Sequence, residues 1–151
     1  MNPGTVLAFD FGYKRIGVAV GNATIDSSNP LTTVHTPGTE PNWAELEKLI
    51  KEWSPDLILV GLPLMLDDTP SANAKAAEQF GAKLARLSQR EVLMVDEKLS
   101  STAAREELKR ARQAGLRKRT KPGDIDKFAA QVILRSWLNQ RDGRRPESGD
   151  E

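Results

Sequence analysis

The chain has no cysteine and a single histidine, His35. Without thiols it can build no disulfide framework, no thiolate nucleophile and no sulfur-ligated zinc site, and it suits a reducing compartment. Long hydrophobic runs are also missing. The longest apolar stretch, from Leu57 to Leu66, is interrupted by Gly61 and Pro63 and falls far short of the roughly 20 residues that cross a bilayer. Met1-Asn2-Pro3-Gly4 leads straight into an apolar strand, with no basic leader or cleavage site. These absences predict a cytoplasmic protein without a membrane partner. Aromatic residues make up only 5% of the chain, and no strand is rich enough in them to signal base readout.

Charge of one sign is scarce overall and concentrated locally. The 151 residues carry a formal net charge of +1. Residues 105 to 121 nevertheless hold +6, from Arg105, Lys109, Arg110, Arg112, Arg117, Lys118, Arg119 and Lys121 against Glu106 and Glu107. The first 104 residues sum to −4 and those from 122 onward to −1. Such a local field suits a phosphate backbone, although a solvated helix face followed by a loop would look the same.

One domain is expected at this length, over residues 1–140, with a polar, turn-rich tail over 141–151 that is predicted to be disordered. Residues 5–11 and 15–21 are apolar, branched runs separated by Gly12-Tyr13-Lys14, which predicts a β-hairpin. A third strand is expected over Leu31 to His35 after a polar stretch from Asn22 to Pro30. Trp43, Leu46, Leu49, Ile50 and Trp53 recur at helical spacing ahead of Pro55. Leu57 to Val60 reads as a buried parallel strand. Thr69-Pro70 resembles a helix start, and Ala72, Ala76, Phe80, Leu84 and Leu87 supply a periodic face behind it. Val92 to Val95 is read as the next buried strand, and a helix over residues 101–114 is expected to end at Gly115. A last helix is expected over Ile125 to Asn139, its apolar side running through Ala129, Val132, Ile133 and Trp137. The three tryptophans fall on helical stripes and read as packing. An antiparallel start followed by alternating helices and strands implies an α/β fold, a mixed five-stranded sheet with helices on both faces, as in the ribonuclease H-like architecture.

Carboxylates stand where this sheet should be dry. Alternation puts Val6, Ala8 and Asp10 on one face of the first strand. Desolvating an unpaired carboxylate costs several kcal/mol, so a folded chain keeps one there only with a metal, a cation or several donors beside it. The structural alternative is an Asp10 turned into its own hairpin, accepting amide protons from residues 12–14 or pairing with Arg15. The strand Val92 to Val95 ends in Asp96-Glu97-Lys98. Adjacent side chains point to opposite faces, so at most one of this acidic pair should face the site of Asp10, and alternation does not say which. In the last helix, Asp126 lies in line with Ala129, Ala130 and Ile133, whereas Asp124 reads as the N-cap. A carboxylate in a first helical turn also gains from the helix dipole without any ligand.

Carboxylates from separate elements, with one histidine and no cysteine, make a poor zinc site and a good site for a hard cation, Mg²⁺ or Mn²⁺. Two such ions about 3.5 to 4 Å apart activate water and stabilise the leaving oxygen in phosphodiester cleavage. Nucleic acid is therefore the expected partner. Lys14 and Arg15 in the hairpin, with Arg117, Lys118 and Arg119 in the basic segment, are the candidate backbone contacts.

Four segments, AFDFGYKRIGVAVG, VGLPLMLDDT, VDEKLSS and DKFAAQVILRSWL, together resemble the YqgF family, also called RuvX, of Holliday junction resolvase or pre-16S rRNA nuclease proteins. The resemblance runs from Leu7 to about Leu138. It implies a ribonuclease H-like fold and an acidic metal site at Asp10, Glu97 and Asp126, choosing Glu97 over Asp96. It also places Lys98 where arginine is commoner, which keeps the charge but not a bidentate phosphate grip. Met65 and Asp68 stand where the family has asparagine and glycine. The implied role is maturation of the 5′ end of 16S rRNA precursor, with RNA preferred over DNA and a ribosomal or pre-ribosomal association; cleavage of four-way DNA junctions is the alternative. Two readings of other classes stay open: a non-catalytic nucleic-acid-binding module, and an actin-like or sugar-kinase-type ATP-binding domain, whose first hairpin also carries Asp-x-Gly.

Overall fold

The computed structural model describes residues 4–62, 72–96 and 122–141. Three strands open the chain, β1 (Thr5–Asp10), β2 (Arg15–Asn22) and β3 (Ser27–His35). They are followed by α1 (Trp43–Trp53), β4 (Leu57–Leu62), α2 (Ala72–Ser88), β5 (Val92–Asp96) and, as the last described helix, α3 (Pro122–Arg141). The sheet order is β3-β2-β1-β4-β5. β1 pairs antiparallel with β2 and parallel with β4, and β4 pairs parallel with β5. This is the mixed five-stranded sheet that the element order implies.

β1 occupies the centre because both of its faces are apolar. Leu7 and Phe9 join Ile16, Val18, Ile58 and Val60 in one core, closed by Leu46 and Ile50 of α1 and by Ala77, Phe80 and Leu84 of α2. Val6 and Ala8 join Ala19, Leu59 and Val95 in the other, closed by Ala130, Ile133, Leu134 and Leu138 of α3. Helices therefore cover both faces. At the entry to β1, the Asp56 carboxylate accepts from the backbone N–H of Gly4 at 2.9 Å and of Thr5 at 3.2 Å, tying the strand to the start of β4. α1 is closed at both ends: the Asn42 side chain accepts from the Glu45 N–H at 3.2 Å, and Ser54, in the left-handed region at φ 44°, donates its N–H to the Ile50 carbonyl.

Several expectations are corrected. β3 begins at Ser27, not Leu31, and takes in Pro30. Proline is tolerated because β3 is an edge strand, and the register shifts there, Val18 facing Thr32 while Ala19 faces Pro30. β5 is the opposite edge, with Leu93 36% exposed, so it is covered less fully than a buried strand. On α2 the buried line is Ala74, Ala77, Phe80 and Leu84, and Leu87 in the last turn is exposed. Trp53 is likewise exposed at the end of α1, whereas Trp43 and Trp137 pack against the two cores. α3 starts at Pro122, which needs no N–H partner and has φ preset for a first helical position, so Asp124 lies inside the helix and is not its N-cap. The buried face of α3 runs through Ala129, Ala130, Ile133, Leu134 and Leu138, with Val132 only half-buried. Thr69-Pro70, the helix expected over 101–114 with Gly115, and the tail from residue 142 lie outside the described residues.

α3 runs antiparallel to β1. Leu134 lies against Gly21, which pairs with Val6 near the start of β1. Gln131 Nε2 donates to the Ser28 carbonyl at 2.9 Å. One turn on, Arg135 donates to the Asp26 carboxylate at 2.9 Å, to the Asp26 carbonyl at 3.0 Å and to Ser28 Oγ at 3.2 Å. The helix thus advances from the C-terminal end of β1 toward its beginning, clamped to the β2–β3 turn.

Two glycines permit close approaches on which this frame rests. A Cβ at Gly12 would lie 2.6 Å from the Arg15 carbonyl oxygen, and one at Gly21 would meet the Ser27 carbonyl and, at 2.7 Å, Leu134 Cδ2. Backbone carbonyls cannot rotate away as a side chain can. Gly12→Ala and Gly21→Ala are each expected to lower stability by about 1–3 kcal/mol, read as an earlier urea midpoint at unchanged slope. A midpoint equal to the parent's at either position would contradict the close approach there.

Candidate active site

The parallel strands β1, β4 and β5 all end at one edge of the sheet. Phe9 is level with Val60, and Val60 with Met94, so Asp10, Gly61 and Val95 form the next row. Asp10 pairs with Gly17 of β2 and is half-buried, directly after four residues of β1 with no exposed surface. Its parity is that of Val6 and Ala8, which puts it on the α3 face. Burial in the strand core would be prohibitive for a carboxylate; one residue later, at the rim, both water and a ligand can reach it.

The early turns of α3 come to this same edge. From Leu134, beside Gly21, back to Asp126 is eight residues of helix, about 12 Å at 1.5 Å per residue. From Val6 to Asp10 is four residues of strand, about 13 Å. These lengths put position 126 of the helix toward the same end of the sheet as Asp10; its side chain lies outside what is described. Position 129, one turn further along the same helical line, is buried.

β5 contributes the third edge position. Val92 and Met94 pack on the α1–α2 side and Val95 on the α3 side, so position 96 has the parity of the α1–α2 side. Glu97 and Lys98, together with Met65, Asp68, Arg117, Lys118 and Arg119, lie outside the described residues. Among the described residues no group of three His, Asp or Glu side chains gathers.

The hairpin between β1 and β2 holds the remaining candidates. Lys14 is exposed and its carbonyl accepts from the Thr36 N–H at 3.0 Å, while Arg15 is half-buried, opposite His35. Two features escaped the reading from sequence. Arg135 and Asp26 are 109 residues apart, and no local pattern joins them, yet they fix the helix that carries Asp126. Tyr13 is 59% exposed at the hairpin tip, its ring against Phe11 with centroids 5.7 Å apart. A sole tyrosine between glycine and lysine in a polar turn was the available signal. Among the described residues no helix is long and apolar enough to cross a membrane.

The chain is similar over most of its length to proteins described as candidate pre-16S rRNA nucleases. It is 43% identical to one from Nitrosococcus oceani, over 92% of this chain and 89% of that protein. Identity is also 43% to one from Dechloromonas aromatica, over 89% and 90%, and 38% to one from Acinetobacter baylyi, over 93% and 94%. The fold is similar to that of Thermus thermophilus RuvC solved with a Holliday junction substrate, with a TM-score of 0.58 at 17% identity over 93% of this chain and 96% of that one. It is also similar to the fowlpox virus resolvase with Holliday junction DNA, with a TM-score of 0.53 at 15% identity over 91% and 98%. These neighbours have the ribonuclease H-like fold expected from the element order. Residues 4–140 match the family described as "RuvX: Holliday junction resolvase", and the chain belongs to that family.

Proposed function

We propose that this chain is a divalent-metal-dependent nuclease that hydrolyses phosphodiester bonds in the cytoplasm, at the 5′ end of 16S rRNA precursor. The observation that carries the reading is the position of Asp10, a carboxylate at the rim of a dry central strand, on the face and at the end of the sheet reached by the first turns of α3. Asp126 stands in those turns. Glu97 follows Val95 by two positions, and Val95 faces α3, so continued alternation favours Glu97 over Asp96 as the third member.

All-oxygen donors from three elements fit Mg²⁺ or Mn²⁺ and do not fit zinc. When bound, such ions supply an activated water and neutralise charge growing on the phosphate. The chain's own part is to hold the ligands and the polymer. Asp10 is fixed by β1, whose neighbours on both sides leave it no freedom to slide. Lys14 and Arg15 offer cationic charge from the hairpin, and Lys98, Arg117, Lys118 and Arg119 are assigned to the phosphate backbone. The names of the relatives support precursor rRNA, with a pre-ribosomal particle as the partner. Four-way DNA junctions are the second reading, favoured by the family's description and the RuvC-like fold. Both are nuclease readings, and the family match favours them over an ATP-binding domain.

Purified protein incubated with precursor rRNA fragments and with four-way DNA junctions is expected to cut the RNA when Mn²⁺ or Mg²⁺ is present and to stop in EDTA. Loss of a neighbour that merely orients a metal ligand costs about 10- to 100-fold. Asp10→Asn, Glu97→Gln and Asp126→Asn, which remove ligands themselves, are each expected to lose at least about 100-fold in cleavage rate. An Asp10→Asn chain that cuts at the parental rate would show the site to be elsewhere. Cleavage of junctions but not RNA would select the second reading, and RNA binding without any cleavage would make the chain a binding module.

A further inference from the structure

The exposed aromatic ring at the tip of the β1–β2 hairpin has no part in the acidic site. Tyr13 is 59% exposed. It is also braced. Phe11 meets Tyr13 edge-on at 5.7 Å and lies against Phe80 at 5.0 Å, and Phe80 in turn contacts Phe9 at 6.0 Å and Trp43 at 5.4 Å. Phe9 and Phe80 belong to the buried core. A chain of rings thus runs from the core to the surface and ends at Tyr13. The turn beneath it is tight, since Gly12 has no room for a Cβ against the Arg15 carbonyl. A braced ring has little conformational entropy left to lose on binding, which favours stacking against a flat partner.

Its neighbours indicate what that partner is. An apolar protein surface would ask for further exposed apolar residues beside the ring, but the turn residues flanking Tyr13 are Gly12 and the exposed cation Lys14. Aromatic face next to cation is the arrangement that takes a base and its phosphate together. Tyr13 is three positions along the chain from Asp10, a span of at most about 11 Å, so a base on Tyr13 belongs to a nucleotide near the phosphate at Asp10.

We propose that Tyr13 is a stacking platform for an unpaired base beside the cleaved bond, with Lys14 on the adjoining phosphate, so that the substrate is single-stranded next to the cut. The proposal rests on the nuclease reading. A base inside a duplex is stacked on both faces and offers no free face to the ring; an unpaired one does.

The test uses the full chain in EDTA, with a single-stranded RNA carrying 2-aminopurine and the same RNA annealed into a blunt duplex. The parent is expected to quench 2-aminopurine in the single strand. Tyr13→Ala is expected to lose the quench and to bind the single strand about 5- to 100-fold more weakly, the loss of one stacked base. Tyr13→Phe, which keeps the ring, is expected to retain both, and duplex binding is expected to be unchanged in either variant. Thermal midpoints of both variants should match the parent's, since the ring is mostly exposed. Parental single-strand binding and quench by Tyr13→Ala overturns the proposal, as does an equal loss on duplex, or a loss in Tyr13→Phe as large as in Tyr13→Ala. If these failures accompany metal-dependent cleavage by the parent, the nuclease reading stands without the platform; if the parent neither binds nor cuts RNA or DNA, that reading falls with it.

Discussion

The burial of β1 on both faces is the constraint on which the rest of the molecule depends. Val6, Leu7, Ala8 and Phe9 have no exposed surface, and each face is closed by different helices. A strand so enclosed can carry no charge along its length, because removing a carboxylate from water without a partner costs several kcal/mol. Asp10 is the first position after those residues at which the chain regains access to solvent while still paired with β2. Its placement is thus rigid in the direction that matters for a ligand and open in the direction from which a ligand must come.

The same enclosure dictates where α3 lies. Ala130 packs with Val6, Ala8 and Ala19 of the sheet, and Gly21 removes a side chain that would hold Leu134 away. Arg135 then anchors the far end, donating to Asp26 and Ser28 from a guanidinium whose planar fork matches a carboxylate and a carbonyl together. Because a helix is stiff over two or three turns, fixing the segment from 130 to 135 also fixes Asp126. A contact at the opposite end of the sheet from Asp10 consequently helps to fix the helix that carries Asp126. Neither half of the arrangement is local: one is set by packing, the other by a polar clamp spanning most of the chain.

How much of this is legible in the sequence follows from which forces are local. The hairpin, β4 and the buried line of α1 read out directly, since their periodicity is produced by burial of residues close in sequence. Asp10 is visible for the same reason, as a charge ending an apolar run. Edges are less visible. Pro30 argues against a strand unless β3 is known to have only one neighbour, and Leu93 looks like core until β5 is known to be the last strand. Leu87 and Trp53 continue a helical stripe into the last turn of α2 and of α1, where each is exposed. The Asp26–Arg135 clamp leaves no trace, because nothing in either segment refers to the other. Alternation alone could not choose between Asp96 and Glu97, whereas the packing of Val95 against α3 supplies a parity from which the choice can be argued.

Rigid ligand placement does not itself specify a polymer. RuvC and this chain have similar folds at 17% identity, so whatever distinguishes their substrates must reside in what surrounds the sheet edge and not in the sheet. Among the described residues, the hairpin beside Asp10 is tied to the core by a line of aromatic rings, from Tyr13 through Phe11 to Phe80. Basic side chains recognise any phosphate backbone and are indifferent to base pairing. An aromatic face is not indifferent: it stacks on a base that has lost its neighbour and gives nothing to one that has not. With Tyr13 as the proposed stacking platform, specificity for unpaired nucleic acid arises three residues from Asp10 without any readout of sequence, from a ring braced on the same core that encloses β1.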